Sequence, residues 1–195
     1  MYSHIADTVI KKEVISSRIT TAVMGVISFV LFTALGAGVY IPLKITPVPL
    51  TLQTFFVLLS GVVLGSRLGS LSQGIYLVLG AAGLPLFSSG GWGFAHIFGP
   101  TGGYLLGFVL SAYVIGRMLG SRTDSWSIVA ALICGDALLL ICGATWLWAG
   151  LHFSLRDAFY MGILPFLPGD VIKLIAAFVV SRRYIKRAKV LFYSL

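Results

Sequence analysis

Charged residues are so widely spaced along this chain that the uncharged stretches between them decide its architecture. Three stretches are long: residues 19–43 (25 residues), 45–66 (22) and 68–116 (49). About 20 apolar residues span the hydrocarbon core of a bilayer, so each can cross at least once and the last can cross twice. Turn signals divide the apolar runs into six predicted spans, near 19–41, 50–66, 68–86, 103–120, 126–149 and 158–181. The second and third are short and separated by little more than Ser66-Arg67-Leu68-Gly69, which predicts a tight helical hairpin. The predicted fold class is an all-α integral membrane protein with six transmembrane helices. A polar leader at 1–18, a membrane domain at 19–181 and a basic tail at 182–195 would make up the chain.

Composition sharpens this picture. Charged residues are 10% of the 195, against about 25% in soluble domains, and the length fits about six spans with short loops, which leaves no room for a soluble enzyme domain. The leader precedes a span with no soluble domain behind it, so it reads as part of an anchor and not as a cleaved signal peptide. The net charge of +8 would suit nucleic acid in a soluble protein, but in a membrane protein it first reports orientation. With the N-terminus inside, Lys11, Lys12, Arg18, Arg67, Arg117, Arg122, Arg182, Arg183, Lys186, Arg187 and Lys189 all fall on the inner side. Lys44 and Arg156 fall outside, and Lys173 lies within a span. Both termini are therefore expected in the cytoplasm, the tail beside anionic lipid, with no nucleic-acid partner. Cys134 and Cys142, eight residues apart on one helix, would be separated by about 12 Å, too far for a disulfide.

Two stretches break the apolar pattern. Residues 83–103 hold seven glycines and no formal charge, although the predicted topology puts most of them in an outer loop. Glycine permits close approach of backbone to a ligand, and Trp92 and Phe94 offer flat apolar faces. A ligand-covering loop and a plain re-entrant plug fit this composition equally. The other break is Pro165 with Pro168 in the last span, where Pro168-Gly169-Asp170 reads as a helix start inside the membrane. Counting outward from Arg182, Asp170 and Lys173 lie roughly 18 Å and 13.5 Å from the inner boundary, near mid-membrane.

Asp170 and Lys173 are three residues apart, on one helical face and able to pair. A charge at that depth costs about 2.5–3.5 kcal/mol or more, so such residues generally face a cavity or each other. Lys173 could hold a ligand carboxylate while Asp170 accepts N–H donors; a purely structural ion pair is the alternative. Asp136, flanked by Gly135 and Ala137, reads first as a hydrogen-bonding group at a tight helix contact. Hydrolase, zinc-protease and nucleotide-binding motifs are absent from the sequence. An intramembrane enzyme using Asp136 and Asp170 is conceivable, but the Gly-x-Gly-Asp setting of such pairs is missing and Lys173 would keep Asp170 ionised. His96 and His152 have no second ligand at metal spacing, so no metal is predicted.

Several stretches follow a familiar order. Pro47-Val-Pro-Leu-Thr-Leu-Gln-Thr54, Tyr76-Leu-Val-Leu-Gly80, Gly83-Leu-Pro-Leu-Phe87, Gly99-Pro-Thr-Gly-Gly-Tyr104 and Pro165-Phe-Leu-Pro-Gly-Asp170 with Lys173 resemble the BioY family, the biotin-binding S components of energy-coupling factor (ECF) transporters. The resemblance covers some two thirds of the chain. It implies a six-helix membrane protein of the bacterial cell membrane that captures biotin from outside, with Asp170 and Lys173 contacting it. Tyr104, Gln53, Thr51, Gly91 and Trp92 are the candidates for the rest of the site. It further implies a transmembrane coupling protein and two ATPase subunits as partners; biotin would be ligand, not cofactor, and ATP would be used by the partners. Where some relatives carry a polar or basic residue after Gly-Gly-Tyr this chain has Leu105, and where some carry an amide in the glycine-rich loop it has Gly91 and Trp92, so carboxylate anchoring would rest more heavily on Lys173. For the small-residue docking surface of the first helix, Ala22 with Val26, or Thr21 with Gly25, are the candidates. A structural membrane subunit is the remaining alternative.

Overall fold

A computed structural model describes residues 2–193, with side chains from Arg18 onward. The leader side chains, Lys11 and Lys12 among them, lie outside the described residues. In order, the chain forms α1 (Tyr2–Gly38), β1 (Tyr40–Ile41), β2 (Leu50–Thr51), α2 (Gln53–Ala81), α3 (Gly93–Ile97), α4 (Gly102–Leu119), α5 (Ser125–Thr145), α6 (Leu155–Gly162) and α7 (Leu167–Phe192). Among the described residues four helices are long and apolar enough to cross a membrane, and the bent pair α6–α7 makes a fifth candidate.

Beyond Arg18, helix α1 is largely apolar all round but buried on one stripe, Val26, Phe29, Val30, Thr33 and Ala37, at the spacing of three and four that repeats one helical face. Ile19, Val23, Ile27, Leu31 and Leu35 point away, as suits a helix with protein on one side and lipid on the other. This packing divides the docking candidates. Val26 sits in the core, and a Cβ on Gly25 would stand 2.6 Å from the Phe192 ring. Thr21 and Ala22 are half-buried. A spacing of small residues states how closely two helices can approach, not which helix comes close.

The predicted hairpin is present inside α2. At Gly65 the backbone leaves the helix (φ 79°, ψ −175°), a conformation glycine adopts without strain. A Cβ on Gly69 would stand 2.9 Å from the Ser60 carbonyl oxygen, whereas nine residues of continuous helix would separate them by about 13.5 Å. The legs, 53–64 and 66–81, therefore run back to back, and Gln53 Nε2 near the start of one donates to Tyr76 Oη on the other at 2.5 Å. Bare glycines let α4 close on its neighbours: a Cβ on Gly116 would meet Ser66 N at 2.1 Å, and one on Gly103 would meet Trp146 Cβ at 2.2 Å.

The segment between α1 and α2 forms a small antiparallel ladder, Tyr40 opposite Thr51 and Ile41 opposite Leu50, which the sequence pattern did not suggest. Helix α5 starts on Asp124, whose carboxylate accepts from Ser127 N at 2.9 Å; that backbone bond holds the Asp124 carboxyl below the usual carboxylate range. The axes of α6 and α7 bend by 48° across Pro165. α7 starts at Leu167 with Pro168 in its first turn, as the proline argument expects. It then continues beyond residue 181 to Phe192, so most of the basic tail is the end of a helix. Two hydrophobic clusters result. One centres on Leu58, Val62, Ile115 and Leu132, the other on Tyr76, Phe87, Tyr104, Phe108 and Phe166.

Candidate functional site

The aromatic cluster surrounds a cavity enclosing about 470 Å³ of empty space, part of it open to solvent. Five parts of the chain build it. The stretch from the loop before β2 to the start of α2 supplies Val48 to Thr51 with Gln53 and Thr54, the glycine-rich segment supplies Ser88, the stretch from Thr101 into α4 supplies Thr101, Tyr104, Leu105 and Phe108, and the α6–α7 bend supplies Phe166, Asp170 and Lys173. Leu139 and Leu140 of α5 complete the wall.

Asp170 and Lys173 are 3% and 8% exposed, and Lys173 Nζ lies 2.6 Å from Asp170 Oδ1. Lys173 also donates to Thr54 Oγ1 at 2.5 Å and to the Thr51 carbonyl at 3.3 Å. These bonds tie α7 to the strand and helix start more than a hundred residues earlier. Breaking the helix before Pro168 makes this approach possible, since the bend brings Gly169 close enough to Leu50 that a Cβ would stand 3.0 Å from its methyls.

Tyr104 is buried, its ring lying where a Cβ on Gly143 would meet it at 2.1 Å, and its hydroxyl donates to the Gly162 carbonyl at 2.5 Å. Gln53 is held by Tyr76, whose hydroxyl in turn donates to the Leu86 carbonyl at 2.8 Å. Thr51 Oγ1 accepts from Gln53 N at 3.3 Å. Five of the predicted residues, Asp170, Lys173, Tyr104, Gln53 and Thr51, thus share one cavity wall.

Gly91 and Trp92 do not. Trp92 is 62% exposed and faces away, and Gly91 lies under the His96 ring, where a Cβ would come within 2.2 Å of Nδ1. From that loop it is Ser88, 5% exposed, that lines the cavity. Glycine and aromatic content marks the loop but not which of its turns points inward. Phe87, fully covered and 5.1 Å from the His96 ring, anchors the segment, and the burial of His96 pushes its imidazole pKa down. Phe166, also missed, had a signal: it lies between the two prolines that make the bend.

Asp136 is 6% exposed, lies one helical turn from Leu139 and Leu140, and feels the charges of Asp170 and Lys173. No described hydrogen bond joins it to Asp170, whose carboxylate is taken by Lys173.

The profile of the BioY family matches residues 9–190. The chain belongs to the BioY family. A BioY relative from Pyrococcus horikoshii, named as a probable biotin transporter, is 40% identical over 155 residues, 80% of this chain and 90% of the relative. Another from Thermotoga maritima, named as a biotin transporter, is 41% identical over 155 residues, covering 78% and 90% of the two chains. Among solved structures, the BioY fold seen here is similar to the S component for biotin from an ECF-type ABC transporter, with a TM-score of 0.82 and 27% identity over 91% of this chain and 97% of that one.

Proposed function

We propose that this chain is a biotin-binding S component that captures biotin in the cavity and delivers it across the membrane with an ECF module. The observation that carries this is the buried Asp170–Lys173 pair lining a part-open cavity at a helix break, in a chain of the BioY family. Biotin combines an apolar bicycle, a urea with two N–H donors and one C=O, and a flexible tail ending in a carboxylate. The cavity combines the Tyr104, Phe108 and Phe166 rings with acceptors and hydroxyls.

The chain acts as a transport protein and not as an enzyme. Counting each leg of α2 separately and α6–α7 as one broken span gives six membrane segments, which supports both termini in the cytoplasm and the cavity facing outward in the cell membrane. Energy would come from a coupling protein and two ATPase subunits. With Val26 and Gly25 turned inward, docking on α1 would use the outward stripe of Val23, Ile27, Leu31 and Leu35. Thermal unfolding of the purified protein with and without biotin tests the assignment. A ligand at 100 times its Kd stabilises by about 2.7 kcal/mol, and an unfolding temperature unmoved by millimolar biotin would sink it.

A further inference from the structure

The polar groups of the cavity can be weighed against what they already hold. An ammonium has three N–H donors, and those of Lys173 go to Asp170 Oδ1 at 2.6 Å, Thr54 Oγ1 at 2.5 Å and the Thr51 carbonyl at 3.3 Å. The hydroxyl protons of Tyr104 and Thr101 go to the carbonyls of Gly162 and His96. Asp170 and Lys173 are the only charged residues in the lining, so the wall carries one negative and one positive charge, already paired. Gln53 Oε1 and the hydroxyl protons of Thr51 and Thr54 have no described partner, and two further groups stay open. Asp170 Oδ2 receives no donor among the described hydrogen bonds, and the hydroxyl of Ser88, a residue 5% exposed, has no described partner.

An anionic acceptor and a neutral hydroxyl in one cavity wall suit a ligand group that is itself neutral and carries N–H next to C=O. A ligand carboxylate finds no free cation in this wall. To reach Lys173 it would have to displace Thr54 or Thr51, exchanging one satisfied bond for another while giving up its own hydration. Leu105, which lines the cavity at 3% exposure, adds no charge. Lys44, on the loop that brings Val48 and Pro49 into the wall, is exposed, where its attraction for a carboxylate is screened by salt.

We infer that the cavity recognises the urea head of its ligand and leaves the terminal carboxylate unread, so that its substrate class extends to biotin derivatives amidated at the end of the tail. This rests on the biotin assignment above. Unlike the sequence expectation, it gives Lys173 the task of fixing Asp170 and the β2–α2 junction instead of holding the carboxylate.

Calorimetry on the detergent-solubilised full chain with biotin, biotin amide and a urea-N-methylated biotin tests it. The amide is expected to bind within about threefold of biotin, and the N-methylated compound at least 100-fold more weakly. Normal biotin binding with a loss above tenfold for the amide overturns the inference and leaves the biotin assignment standing, as does an N-methylated compound that binds like biotin. No biotin binding overturns both. In Leu105→Arg, a cation introduced into the wall should raise the preference for biotin over its amide tenfold or more; an unchanged ratio in the folded variant also counts against the inference.

Discussion

The two hydrophobic clusters use different materials for different ends. Around Leu58, Val62, Ile115 and Leu132 the side chains are mainly aliphatic, and bare glycines bring backbones together: a Cβ on Gly61 would meet the Ala112 carbonyl oxygen at 2.7 Å. Around Tyr76, Tyr104, Phe108 and Phe166 the side chains are largely aromatic, the tyrosine hydroxyls are hydrogen-bonded, and the packing leaves a cavity. Aliphatic groups interdigitate and fill space to near-crystalline density. The two tyrosine rings, held by backbone at one end and hydroxyl at the other, cannot collapse inward, and Phe108 and Phe166 pack beside them. One cluster holds the helices together, and the other holds them apart by a defined amount.

The largest effect that would break this division is at the charge pair. Lys173→Ala leaves Asp170 buried without its partner, at a cost of about 3–5 kcal/mol, and biotin affinity should fall at least 100-fold by calorimetry. In the double variant Asp170→Leu with Lys173→Met, denaturation should show stability regained while binding stays lost; binding retained there would move the site elsewhere.

Paired glycine variants sharpen the contrast between the clusters. Gly116→Ala crowds the Ser66 backbone and should destabilise by about 1–3 kcal/mol, with the Kd for biotin unchanged within twofold. Gly143→Ala pushes on the Tyr104 ring and should raise the Kd about tenfold. Equal effects on binding would mean that the two clusters are one unit. Tyr104→Phe, which removes the bond to Gly162, should cost about 1 kcal/mol, or roughly fivefold in affinity. The smallest effect belongs to Trp92→Ala. That side chain is outside the wall, and a Kd shift beyond twofold would show that the loop closes over the ligand.

The same division explains what could be read in advance. The hairpin is legible because Ser66-Arg67-Leu68-Gly69 interrupts an apolar run, and the helix start at Pro168 because proline admits few alternatives. The Asp170–Lys173 pair stood out because charges at that depth are rare. The β1–β2 ladder was not legible, since two residues per strand carry no periodicity. Nor was the inward position of Ser88, which depends on a turn with Ser89 at φ 59° and not on its own side chain. The facing of α1 is not legible for a related reason: an apolar stretch does not announce which stripe its neighbours will take.

The hydrogen bond from Lys173 to Thr51 also has a meaning in time. Its partners are 122 positions apart, so a chain emerging from the ribosome holds β2 and the start of α2 long before the lysine that fastens them exists. Every earlier helix can insert and pack against its neighbours first, but the fastening waits for the last one. A protein truncated ahead of α7 would be a membrane-inserted bundle lacking Asp170 and Lys173 from its wall. Binding competence is therefore a report that synthesis has passed through α7.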